Sequence, residues 1–188
     1  MKKLLLTLSL LVCCGITFSQ TPEEMKAWEA SMTPGAQHQW LASMDGYWNA
    51  KVSMWMDPSQ PPSVSDATTK NEMIMNGLYQ RSTHTGNMMG MPFQGESITG
   101  YDNINKKFVA TWIDNMGSGI MYMEGTMDDQ SRTLTLKGKM TDPMSGKELD
   151  VKETITQNSP DSHTFEMYMV HDGKEMKTME IVYTRAKE

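Results

Sequence analysis

The sequence is short of cysteine, of clustered basic charge and of the branched aliphatic residues that build most cores. Its only two cysteines, Cys13 and Cys14, are adjacent and sit near the start of the 188-residue chain. Nothing further along can pair with them, which excludes a disulfide framework and thiolate chemistry from the rest of the chain. Lys and Arg number 17 against 23 Asp and Glu, a formal net charge of −6. They form no cluster suited to a phosphate backbone or to anionic lipid, so no nucleic-acid partner is expected. One apolar run exists, Leu4 to Val12; it is too short to span a bilayer, and no second candidate span follows. The length suits one domain with a sizeable core and is too short for two ordinary ones.

What is present at the N-terminus reads as an export signal. Met1-Lys2-Lys3 precedes the apolar run, and Thr17-Phe18-Ser19 places small residues three and one before a cut. A signal peptide over residues 1–19 leaves Gln20 first and takes both cysteines with it. It also removes Lys2 and Lys3, deepening the negative charge. The protein is then secreted or periplasmic. The alternative is a lipid anchor on Cys14, preceded by Leu11-Val12-Cys13, although Gly, Ala or Ser is normal where Cys13 stands.

Residues 20–46 read as a helical segment. Thr21-Pro22-Glu23-Glu24 sets out a cap, a first-turn proline and a capping-box glutamate, predicting a helix to about Met32. Thr33-Pro34 repeats the start signal, and Ala36 to Met44 reads as a second helix stopped at Gly46. From Tyr47 to the end, residues 47–188, the period changes to two. Trp48, Ala50, Val52, Met54 and Met56 alternate with polar residues until Asp57 to Pro62 breaks the run. Asn76-Gly77 marks a hairpin, because such a turn needs positive φ at both central residues. Turn signals follow at residues 86–92, 102–106, 115–119, 128–131, 142–146, 158–162 and 171–173. About ten strands joined by short connections must pair antiparallel, which predicts an all-β, up-and-down barrel with short N-terminal helices.

Beyond residue 19 the chain holds 20 methionines but only 18 Leu, Ile and Val combined. Methionine is therefore the expected main core residue, a flexible apolar filler. Met54/Met56, Met73/Met75, Met121/Met123 and Met167/Met169 are two apart, so each pair shares a strand face. A thioether site for Cu(I) is the competing reading, but His38, His84, His163 and His171 show no ligand spacing to these pairs. Met88-Met89-Gly90-Met91 falls in a glycine-containing loop, where it could cover the core, cap a barrel mouth or meet an apolar ligand.

No catalytic signature is present. The glycines lack a strand–loop–helix phosphate cradle, and there is neither a Gly-x-Ser-x-Gly elbow nor a His-Glu-x-x-His. Glu96 and Asp114 are the carboxylates with apolar neighbours, and an enzyme acting on a hydrophobic substrate would need one of them in a cavity. No catalytic residue and no metal ligand is assigned, and no cofactor is predicted.

Gly46-Tyr47-Trp48 at the first strand and Tyr183-Thr184-Arg185 at the last resemble the calycin pattern of lipocalins and their relatives. The resemblance implies a tryptophan closing one barrel end beneath an arginine, a cation–π lid. More specifically, the chain from about Glu24 to Arg185 resembles the bacterial family called domain of unknown function 1579. The resemblance rests on Met54-Trp55-Met56-Asp57-Pro58, on Met88 to Phe93, on Ile98-Thr99-Gly100-Tyr101-Asp102-Asn103 and on Thr141 to Gly146. Phe165-Glu166-Met167-Tyr168-Met169 and Lys177 to Arg185 complete it. It implies a calycin-like barrel and no activity. Related barrels include haem-binding nitrobindin-like proteins, for which His84 and His163 are the in-strand candidates for an axial ligand.

The resulting expectation is a barrel that binds a small apolar molecule in its interior. Trp48, Met54, Met73, Met75, Phe93, Trp112, Met121, Met123, Met167 and Met169 are the expected lining, with Arg81 and His84 as polar handles. The rivals are a haem or copper protein, an enzyme, and a barrel filled by its own methionines.

Overall fold

The computed structural model describes residues 21–171 and 173–187. The export-signal reading, with Cys13 and Cys14, lies outside the described residues. Two short helices, α1 (Pro22–Ser31) and α2 (Ala36–Ala42), precede the strands. The strands are β1 (Gly46–Met54), β2 (Ser63–Ile74), β3 (Tyr79–Met88), β4 (Met91–Asp102), β5 (Lys107–Asp114) and β6 (Met121–Asp128). They continue as β7 (Thr133–Thr141), β8 (Glu148–Ser159), β9 (Ser162–His171) and β10 (Lys174–Arg185). Each pairs antiparallel with the next, and β10 returns to β1, with Trp48 opposite Arg185 and Met54 opposite Met179. The result is a closed up-and-down barrel of ten strands, as the alternation predicts. Closure leaves no strand edge unpaired. No helix among the described residues is long and apolar enough to cross a membrane.

The helices form where their caps require them. Thr21 Oγ1 accepts from the Glu24 N–H at 3.2 Å, and the Glu24 carboxylate accepts from the Thr21 N–H at 2.7 Å. Asn103, in the β4–β5 turn, donates to the carbonyls of Ser31 and Thr33 at 3.1 and 3.0 Å, holding the end of α1 against the barrel. The last carbonyls of a helix lack intrahelical partners. After α2 the barrel supplies them. Gln80 donates to the Leu41 carbonyl at 2.6 Å, Asn71 and the Trp48 indole to Met44 at 2.9 Å, and Arg185 to Asp45 at 2.8 Å. Residues 41–45 are thereby fixed as a plug across one end. The Arg185 guanidinium lies 4.2 Å from the centroid of the Trp48 ring, the cation–π lid that the terminal motifs imply.

Two local expectations are corrected. The β2–β3 connection is not a two-residue turn on Asn76-Gly77. Ile74 pairs with Tyr79, and Met75, Asn76 and Gly77 all have positive φ (50°, 59° and 82°) in a longer loop. The first strand ends at Met54, which leaves Met56 in the following loop.

The dense core is also not methionine. It sits beside the plug and consists of Leu41, Met44, Trp48, Ala50, Phe108, Ala110, Met123, Leu134, Leu136 and Tyr183, all buried. Branched and aromatic side chains have fewer rotatable bonds and fill a fixed space at lower entropic cost, which suits the end that must be rigid. Most methionines lie elsewhere. The connections at the opposite, open end carry Met56, Met89, Met116 and Met144, all exposed, with Met91 and Met176 flanking them.

Candidate functional site

Strand alternation, with the buried positions as the phase, settles which residues face the lumen. From β1 to β5 these include Trp48, Ala50, Val52, Met54, Ala67, Thr69, Met73, Gln80, His84, Gly86, Phe93, Gly95, Ala110, Trp112 and Asp114. From β6 to β10 they include Met121, Met123, Leu136, Val151, Glu153, Ile155, His163, Phe165, Met167, Met169, Ile181 and Tyr183. Exposure changes along this inner surface. Near the plug Trp48, Phe108, Leu134 and Leu136 are fully buried, whereas Val52, Met54, His84, Phe93, Trp112, Met121, Met167 and Met169 are only half-buried. Because their strand positions point inward, their remaining exposure is to the lumen, which is packed at the plug and open towards the mouth.

One wall of that lumen is built from small residues. Ala50 pairs with Ala67 and Ala67 with Gly86 across β1, β2 and β3. A Cβ at Gly86 would stand 2.9 Å from the Ala67 Cβ, so the strands approach too closely for a side chain there. Beside this wall the Trp112 ring lies over Gly95, where an added Cβ would meet it at 2.4 Å. Its indole N–H donates to Asp114 at 2.7 Å, and Phe93 stacks on it at 6.3 Å between centroids.

The polar groups of the lumen converge near the plug. His84 Nδ1 shares a 2.9 Å hydrogen bond with Thr69 Oγ1, and the Tyr183 hydroxyl lies beside the same threonine. The His163 ring stacks on Tyr183 at 4.3 Å and meets the Trp48 ring edge-on at 4.4 Å, with its Nδ1 buried and unbonded among the described residues. Glu153 faces the same space from β8, opposite Leu136 on one side and Met167 on the other. It is 6% exposed, and no hydrogen bond or ion pair reaches it among the described residues. Burial pushes its carboxyl up to about 8 and holds His84 and His163 down at about 4. Burial also raises the Tyr183 hydroxyl. At neutral pH all four groups are therefore mainly uncharged, as a desolvated cluster without a counter-ion must be.

Most of the expected lining is brought together. Trp48, Met54, Met73, Phe93, Trp112, Met121, Met123, Met167, Met169 and His84 all face inward, although Trp48 and Met123 are packed into the core. Met75 and Arg81 do not. Met75 is 70% exposed in the β2–β3 loop, because Ile74 is the last residue of its strand to pair. Arg81 occupies an outward position and forms an ion pair with Glu72, as its odd-numbered place on β3 requires. Glu96 is likewise outward, while Asp114 faces in at the mouth and accepts from Trp112 and from the Met116 N–H. The perturbed carboxyl is instead Glu153. Leu149, Val151, Glu153, Ile155 and Gln157 alternate inward, and that apolar-flanked register was the signal available for it. Of the two in-strand histidines, His163 is enclosed by two rings, whereas His84 Nε2 has no hydrogen bond among the described residues.

A concavity also lies on the outer wall. It is an open depression of about 790 Å³ over β1, β2 and β3, lined by Asn49, Lys51, Asp66, Thr68, Thr85 and Asn87. All of those side chains are exposed, and none brings a desolvated polar group to a ligand. No group of three or more His, Cys, Asp or Glu that could hold a metal ion is found among the described residues.

Fold and site together define a closed ten-stranded barrel, plugged at one end, whose inward side chains include a polar group near the plug and are half-buried towards the other end. The chain belongs to the family described as "Protein of unknown function (DUF1579)", which it matches over residues 33–185. Its fold is similar to the crystal structure of Rv2717c from M. tuberculosis, with a TM-score of 0.61 at 12% identity, covering 82% of this chain and 100% of that one. A redesigned β-barrel aligns at 14% identity with a TM-score of 0.40, covering 78% of this chain and 95% of that one. No curated protein matches the chain.

Proposed function

We propose that this protein is a secreted or periplasmic binding protein that holds a small, mainly apolar molecule in the barrel lumen. The carrying observation is the gradient of exposure along the inner surface: buried at the plug, half-buried from His84 and Trp112 to the mouth. A barrel filled by its own side chains would bury both halves alike. Methionine suits such a lining, because its unbranched thioether adapts to a guest. The exposed methionines of the open-end loops extend the same apolar character to the mouth.

The test is uptake of N-phenyl-1-naphthylamine, a neutral probe that fluoresces in apolar surroundings. Binding is expected, and Ala67→Phe, which fills the small-residue wall, should weaken it at least tenfold. Lys51→Ala, in the outer depression, should leave it unchanged. Binding lost in Lys51→Ala and kept in Ala67→Phe contradicts a lumen site. A second reading, haem held through His84, is favoured by the unbonded His84 Nε2. A haem absorption band in protein from its own host that is lost in His84→Ala would establish it.

A further inference from the structure

We propose that the lumen ligand is an amphipathic cation, an apolar body ending in a protonated amine whose ammonium group pairs with Glu153. The inference rests on the lumen being the binding site, and it follows from the side chains that the barrel turns inward. Among the described residues the inward phase carries cations only at its two ends, Arg185 at the plug and Lys174 at the rim of the mouth, and none on the stretch between that holds Glu153. Acids share that phase: Glu153 lies deep and Asp114 at the mouth. A carboxylate or phosphate head seated at this depth would meet no free cation, because Arg185 is engaged at the plug and Lys174 lies at the rim, and it would have to sit beside a buried acid. An ammonium meets a carboxyl that has no other partner among the described residues.

The surroundings of Glu153 support this choice. From β7 it faces Leu136, from β9 Met167 and beyond it Phe165, so no hydroxyl or amide on the neighbouring strands satisfies its oxygens. Facing the same space are the Tyr183 hydroxyl on β10, the His163 ring on β9 and, beyond Thr69, the His84 ring on β3. Neutral imidazole nitrogens can accept from an ammonium, and the tyrosine and phenylalanine rings offer π faces to it. Two guanidinium groups approach from the plugged end, and both are engaged there. Arg185 lies over Trp48 and binds the carbonyls of residues 43 and 45, and Arg132 donates to Gln157. The apolar body of the ligand then runs from Phe165 and Met167 past Trp112 to the methionines of the mouth. The excess of acidic residues over the whole chain draws cations towards it at long range.

Pairing with an ammonium requires the carboxylate form. Because burial keeps Glu153 protonated near neutral pH, binding transfers its proton to the buffer, and the complex holds R–NH3+ against –COO−. The experiment is isothermal titration of the protein with n-octylamine, n-octanol and octanoate at neutral pH, in phosphate and in Tris. Octylamine is expected to bind at least tenfold more tightly than either of the others. Its heat should differ between the buffers by the release of nearly one proton, whereas octanol should show no such difference. Glu153→Gln should remove the preference and keep octanol binding.

Octanol or octanoate binding as tightly as octylamine overturns the amine assignment and leaves the lumen site standing. So does a preference for octylamine without proton release. Failure of all three ligands, together with failure of N-phenyl-1-naphthylamine, overturns both readings.

Discussion

Replacing Glu153 by glutamine keeps the shape of the buried side chain and removes its ionisation, so the change in stability can be worked out pH by pH. The carboxyl ionises near 4.5 in the unfolded chain and at about 8 in the barrel. Between those values the unfolded chain releases a proton that the folded chain keeps. Stability therefore falls as the pH rises, by ~1.4 kcal/mol per pH unit. His84 and His163 act in the opposite sense and lower down. Each goes from 6.5 unfolded to about 4 folded, so they withdraw stability as the pH drops through about 7 and on towards 4. Between pH 6.5 and pH 8 Glu153 dominates, while the half-protonated histidines of the unfolded chain lose their remaining protons and return about 0.4 kcal/mol each. Across that window the Glu153 contribution falls by about 1.5–2 kcal/mol, which is the change expected in the difference between wild type and Glu153→Gln, and the wild type itself should lose about 1 kcal/mol. Urea unfolding followed by tryptophan fluorescence at the two ends of the window measures it, since Trp48 and Trp112 lie on either side of the polar cluster. Glu153→Gln should show no loss and should exceed the wild type in stability at the upper end. A wild type equally stable at both ends, or a glutamine variant weaker than the wild type at pH 8, refutes the placement of Glu153 in a dry lumen.

Other substitutions test the scaffold. Trp48→Ala removes the largest side chain of the plug together with its hydrogen bond and the Arg185 contact, and should cost ~3–5 kcal/mol in urea unfolding. A cost below about 1 kcal/mol would mean that the plug does not hold the barrel end. Gly125→Ala places a Cβ 1.8 Å from the Thr135 carbonyl oxygen, so β6 and β7 must part. A loss on the order of 3 kcal/mol or more is expected, and wild-type stability would contradict the strand register. Met89, followed by Gly90, turns the β3–β4 hairpin with φ of 52° and 80°. Asn is the residue that tolerates this conformation, so Met89→Asn should stabilise by ~0.5 kcal/mol or more, read as a rise in Tm.

The barrel was legible in the sequence because period-2 alternation and turn residues follow directly from strand geometry. The plugged end was legible too. Gly46 and Trp48 at one end of the strand run and Arg185 at the other could meet only if the sheet closed. Less legible was anything that depended on where a strand stopped pairing. Met75 lies two residues after Met73 and would share its face, but pairing ends at Ile74 and the loop carries Met75 outside. Arg81 and His84 cannot both be handles, because on one strand an odd and an even position face opposite sides. Glu153 carries no mark of its own in the sequence, where it stands between Lys152 and Thr154 like any solvated strand carboxylate. Its inward phase follows only once Leu134, Leu136 and Val151 fix which side of β7 and β8 is buried. The methionines show the same limit. Composition counts them, and only closure of the barrel separates those at the plug from those lining the lumen and the mouth.

Native mass spectrometry of the protein purified from its own host, with an absorption spectrum of the same sample, tests the central claim most directly. A lumen that binds a small apolar molecule predicts a retained small-molecule mass that Ala67→Phe abolishes. A bare polypeptide mass, in protein that also fails to take up N-phenyl-1-naphthylamine, contradicts it.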